Sequence, residues 1–142
     1  MSDIYNLQRF VDAQQSIYEQ VLYELELGRK NSYWIWYIFP QIQGLGRSWT
    51  AEKFAISSLE EAKAYLKHPL LGTRLRQCTQ LVLNIEGRDI EEIFDYPDYL
   101  KFCSSMTLFF SATTDNRIFE DALVKYFAGE PDQLTLDILG NL

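Results

Sequence analysis

The stretch "QIQGLGRS", Gln41 to Ser48, sets two glutamines, two glycines, an arginine and a serine directly after an aromatic run. A guanidinium on a glycine-loosened loop suits an anion, because arginine pairs bidentately with phosphate or carboxylate and glycine lets the backbone approach closely. Gly44 and Gly46 also invite a dinucleotide reading. That fingerprint fails, since Trp49 stands where its third glycine would fall and no convincing strand precedes it. The phosphate P-loop fails too, for want of a Gly-Lys-Ser/Thr ending. What survives is a loop carrying Arg47 and Ser48 into a helix whose N-terminal amides could hold an anion. The plain alternative is a turn with Ser48 or Thr50 as helix cap. Upstream, Trp34, Trp36 and Trp49 fall within sixteen positions, with Tyr33 and Tyr37 beside them. Such rings can stack on a base or sugar, or can simply fill a core.

Other reactive types are sparse. His68 is the only histidine, so no His-rich metal site can form. In "KHP" it complements a helix end, yet imidazole is also the side chain that ordinarily titrates near neutral pH. The stretch "KFCSSMTLFF" carries Lys101, Ser104 and Ser105. A serine is a nucleophile only beside a base, and no Gly-x-Ser-x-Gly elbow is present. On a helix, one serine can instead bond back to a carbonyl and the other permit close packing. Glu86 to Asp98 crowds seven charges into thirteen residues. Pairs such as Asp89 and Glu92 could do acid–base work if buried, but such runs more often make a solvated face. Cys78 and Cys103 have no metal-ligand spacing and read as reduced, buried thiols. No metal and no cofactor are implied.

The 142-residue chain carries a net charge of −7, which argues against general nucleic-acid binding. The charge is uneven. From Gly44 to Val82, Arg47, Lys53, Lys63, Lys67, Arg74 and Arg76 face only Glu52, Glu60 and Glu61. From Asn84 to Tyr99, Arg88 alone opposes Glu86, Asp89, Glu91, Glu92, Asp95 and Asp98. An anion would be welcome only in the middle segment. Asp3, Arg9 and Asp12 break any signal-peptide core. The longest apolar run, Tyr33 to Phe39, falls far short of the roughly 20 residues that span a bilayer. The expectation is a soluble, cytoplasmic protein with no membrane partner and an oligomeric state that the sequence leaves open.

The elements that must position these residues read as helices. Ile4 to Leu27 shows a three- and four-residue stripe, interrupted at Gln14 and Gln15 so that two helices with a bend are allowed, and Gly28 stops it. "YWIWYIF" has no period; a buried strand and a short helical turn both fit, with the turn favoured because "LVLNI" and "TLFFSA" are the only other candidate strands. Trp49 to Ile56 reads as helix. "SLEE" is a capping box opening Leu59 to His68 before Pro69. Further helical stripes follow from Leu71, from Asp89, over Asp98 to Ala112 and over Ile118 to Ala128, with a short amphipathic piece at the end. The expectation is an all-α, compact multi-helix bundle of about seven helices, a single domain over residues 1–142.

The segments "RFVDAQ", "YWIWYIFPQIQGLGRS", "AISSLEEAKAYLKHPLLGTRL", "KFCSSMTLFF" and "YFAGEPD" resemble, in this order, the bacterial domain-of-unknown-function family 1810. Some members of that family carry a calpastatin label. The resemblance runs from Leu7 to about Leu139 and implies an all-α fold, but no reaction. The calpastatin label fits poorly, because inhibitors of that name are disordered and polar. One departure stands out: the family pattern reads Ser-His-Trp where this chain has Ser32-Tyr33-Trp34. If that histidine were a catalytic base, this chain would lack it.

The reading that follows is a small protein binding a small anionic, nucleotide-like ligand at Gln41 to Ser48. Trp34, Gln41, Gly44, Gly46, Arg47, Ser48 and Lys101 are its expected ligand-binding residues. Trp34 or Trp49 would supply a stacking wall. A hydrolase or transferase using His68, Ser104 or Ser105 is the second reading, and a protein-interaction module the third.

Overall fold

The computed structural model describes residues 3–141. Ten helices run along them: α1 Gln8–Gln15, α2 Tyr18–Leu27, α3 Ile35–Ile38, α4 Trp49–Lys53, α5 Leu59–Lys67, α6 Leu71–Asn84, α7 Ile90–Ile93, α8 Asp98–Ala112, α9 Arg117–Phe127 and α10 Gln133–Gly140. The fold is all-helical, as expected, but with more helices than the expected seven or so. The excess has a plain cause. The N-terminal stripe breaks at Ser16–Ile17 into α1 and α2, and α3, α4 and α7 span only 4, 5 and 4 residues. Elements of about one turn hold too few residues to display a period.

Among the described residues there is no strand, only one isolated parallel bridge between Ile42 and Ile56. The run Tyr33 to Phe39 holds the single turn α3, and of its two candidate strand partners one lies inside α8 and the other ends α6, with Ile85 as its C-cap. No described helix is long and apolar enough to cross a membrane.

Local chemistry explains the helix ends. Gly28 closes α2 with φ +88°, a left-handed conformation that glycine adopts without strain. Ser58 caps α5 by accepting the Glu61 amide at 3.1 Å. The Glu61 carboxylate does not return to Ser58, as an ordinary capping box would have it. It accepts from the amide and hydroxyl of Ser57 at 2.8 and 2.7 Å and pairs with Arg9 at 2.9 Å.

Helix α8 is the central post. It packs against α5, α9 and α10 and touches α3 and α7, and every residue from Phe102 to Phe109 is buried. Phe39 meets Phe102 edge-on at 4.9 Å between ring centroids, and Phe94 lies 5.1 Å from Phe102. Such aromatic pairs add to the burial that drives folding. The opening turns of α8 sit at the rim of this core, where Leu100 is exposed and Lys101 half-buried.

Candidate functional site

A cavity of about 710 Å³ opens where three distant stretches of chain meet. Gln41, Leu45, Gly46, Arg47 and Ser48 come from the loop after Pro40. Pro97, Leu100, Lys101 and Ser104 come from the start of α8. Asp132 and Leu134 come from the start of α10, and Trp36 of α3 forms a wall.

Each contributor is held from behind. The bridge fixes the loop, with the Ile56 amide donating to the Gln41 carbonyl and the Gln43 amide to the Ile56 carbonyl, both at 2.8 Å. Leu100, Lys101 and Ser104 share one face of α8 by their spacing. Asp132 is tied to that helix twice. Its amide donates to Thr107 Oγ1 at 2.8 Å, and its Oδ2 accepts from Ser104 Oγ at 2.9 Å. The same Oδ2 caps α10 by accepting from the Thr135 amide and hydroxyl at 3.2 and 2.6 Å.

The charges are mixed but lean positive. The Lys101 ammonium lies 5.2 Å from the centre of the Trp36 ring and 3.5 Å from Asp98 Oδ1. Asp98 is also held by Lys30 at 2.7 Å. One carboxylate thus serves two ammonium groups. Among the described residues the Arg47 guanidinium makes no ion pair and is exposed. The Trp36 indole N–H is buried without a hydrogen-bond partner among the described residues. A buried donor left unpaired costs free energy, but this N–H is sealed from the cavity, which the indole lines by its ring.

The family model described as "Protein of unknown function (DUF1810)" matches residues 4–139. The chain belongs to this family. A crystal structure of the conserved hypothetical protein Rv1873 from Mycobacterium tuberculosis is 53% identical, with a TM-score of 0.97 over 97% of this chain and 99% of that one. No curated protein matches.

In this DUF1810 chain the structure gathers six of the residues singled out from sequence, Gln41, Gly46, Arg47, Ser48, Lys101 and Ser104, around one cavity. It places the others elsewhere. Trp34 is buried behind the site, with its indole N–H donating to Glu24 Oε1 at 2.9 Å, so it is not the wall. Trp49, the other wall candidate, points outward at 72% exposure, with Lys53 4.9 Å from its ring. Gly44 makes the turn, with φ +106°, and faces a small crevice behind the cavity. His68 sits between α5 and α6, and its Nδ1 accepts the amides of Leu70 and Leu71 at 3.2 Å each. Ser105 is fully buried and does not line the cavity. Helix α4 is too short to act as an anion-binding helix end, and Ser48 already caps it by accepting the Ala51 amide at 3.1 Å. Tyr33 is 89% exposed. It opens on a neighbouring hollow of about 370 Å³ that shares Trp36, Pro97 and Lys101 with the main cavity.

Sequence reasoning passed over Asp132, and it named Trp36 among the possible stacking rings but chose Trp34 or Trp49 for the wall. Asp132 carried a signal: "EPDQLT" has an acid after proline, just before an amphipathic stretch, which is a helix-start pattern. Trp36 had none that separated it from Trp34.

Proposed function

We propose that this protein binds a small anionic, nucleotide-like ligand in the cavity between the Gln41–Ser48 loop and α8. One observation carries the reading. Arg47 and Lys101, far apart in a chain of net charge −7, line the same open cavity beside an indole wall. Its volume of about 710 Å³ lies within the roughly 300–1,000 Å³ usual for small-molecule sites. In this reading Arg47 and Lys101 hold the anion, Trp36 rather than Trp34 supplies the flat wall, and Gln41 reads a polar edge. The buried thiols of Cys78 and Cys103 suit a reducing, cytoplasmic setting.

The test is calorimetric titration with a panel of nucleoside mono- and diphosphates. Binding should weaken with added salt. Arg47→Ala should reduce affinity about ten- to a hundredfold, the worth of a charge-assisted contact of about 1.5–3 kcal/mol. A panel that leaves the protein silent, or an Arg47→Ala variant with unchanged affinity, would refute the proposal.

The Ser104–Asp132 contact gives an enzymatic reading its one foothold, a hydroxyl beside a carboxylate. Asp132 Oδ2 already accepts from the Thr135 amide and hydroxyl, and the Ser104 hydroxyl has the Leu100 carbonyl at 3.0 Å as a second acceptor. Binding is therefore the stronger reading. Turnover of a panel member that vanishes with Ser104→Ala would reverse that order.

A further inference from the structure

The cavity that gathers Arg47 and Lys101 also holds a carboxylate. Asp132 lines it, and an acid there opposes an anionic ligand unless the ligand offers that acid something to bind. The geometry is specific. Oδ2 accepts from the Thr135 amide and Thr135 Oγ1 at 3.2 and 2.6 Å, and at 2.9 Å it competes with the Leu100 carbonyl, at 3.0 Å, for the single Ser104 Oγ proton. The Asp132 amide is fixed by Thr107 Oγ1 at 2.8 Å. No hydrogen bond among the described residues goes to Oδ1. The carboxylate is therefore locked in place with one acceptor oxygen uncommitted.

An ionised carboxylate only accepts, whereas guanidinium and ammonium groups only donate. A ligand that satisfies all three carries acceptors with negative charge at one end and hydroxyl or amine donors at the other. Simple dicarboxylates, when ionised, have the first and lack the second, and inorganic phosphate has P–OH donors only on the charged group itself, with none at a distance from it. A phosphorylated ribose has both, and a base attached to it would meet the Trp36 indole that lines the cavity.

We infer that the ligand is a ribose-type phosphate, its hydroxyls donating to Asp132 Oδ1 while its phosphate meets Arg47 and Lys101. This rests on the anion-site reading of the same cavity and narrows it to a class. A site built to accept from a hydroxyl rejects the analogue that lacks it, because the acceptor is then left unpaired.

The experiment titrates the intact protein with the ribonucleoside 5′-monophosphates, their 2′,3′-dideoxy counterparts and inorganic phosphate. The ribo form of at least one base should bind ten times or more tightly than its dideoxy form. Asp132→Asn should reduce that preference below threefold while the dideoxy affinity holds or rises, since a repelling charge is gone. Asparagine is a good N-cap, so α10 should persist, and circular dichroism checks it. Should the variant not fold, the ribo-to-dideoxy ratio of the unmodified protein decides alone. Equal binding of ribo and dideoxy forms overturns this inference and leaves the anion site standing. Failure of every phosphate to bind overturns both.

Discussion

Glu24→Gln is a severe test of how the cavity wall is held. Glu24 is 1% exposed, and its carboxylate organises the turn that leads into α3. Oε1 accepts from the amides of Asn31 and Ser32 at 2.6 and 3.0 Å and from the Trp34 indole at 2.9 Å. Oε2 accepts from Ser32 Oγ at 2.5 Å and Gln20 Nε2 at 2.9 Å. Burial alone would push this carboxyl's pKa up. The donors from Ser32, Asn31, Gln20 and Trp34 together outweigh it and bring the pKa down from 4.5 to about 2. That drop corresponds to about 3 kcal/mol in favour of the ionised form in the fold. Because the folded pKa is the lower one, the stabilisation is complete above about pH 4.5 and lost as pH falls toward 2. A carboxamide keeps one acceptor and turns an N–H₂ toward donors. Urea denaturation should show the variant less stable by about 3 kcal/mol at pH 7. By pH 3 about 2 kcal/mol of the gap should have closed, since the unmodified protein loses its advantage there. A gap under about 1 kcal/mol at pH 7, or one that ignores pH, would refute the reasoning. Ligand affinity should fall as well, because Trp36 rides on the turn that Glu24 anchors.

Gly46→Ala should disturb site and stability together. A Cβ there would lie 2.6 Å from Ala51 Cβ, so the loop or α4 must move; about 1–3 kcal/mol lost in thermal unfolding, with weaker binding, is expected. The thiols should be inert in the fold. Burial drives Cys78 up to about 12, and burial followed by the charge of Asp132 drives Cys103 up to about 11. A disulfide reagent at pH 8 should label neither until denaturant is added, and fast native labelling of either would contradict the packing. Tyr33→His, at an exposed position, should change stability by less than about 0.5 kcal/mol, as read by denaturant titration.

Half of the site was legible because half of it announces itself by local chemistry. Arg47 follows two glycines on a loop that Pro40 starts, and loops of that composition run on surfaces where ligands arrive. Lys101 stands at the head of a helix too apolar to carry a charge except at its rim. The rest depends on which face packs, and that is decided from outside the segment. Trp34 and Trp36 stand two residues apart, so about 200° of helical rotation separates them. One therefore had to face the core and the other the cavity, yet nothing within "YWIWYIF" says which. The choice is made ten residues upstream, where Glu24 takes the indole N–H of Trp34 and leaves Trp36 outward. His68 misled for the reverse reason. Its chemistry is conspicuous, but its ring faces the amides of its own chain turn. The acidic stretch also acts at a distance. Asp95 pairs with Arg29, and Asp98 with Lys30 and Lys101, so this run tethers the α2–α3 turn and the first turn of α8 to one another. A charge imbalance read along the chain thus marks two different things in one protein. In the middle segment it supplies the exposed Arg47, which makes no ion pair among the described residues, and in the acidic segment it supplies the counter-ions that hold the opposite wall of the cavity in place.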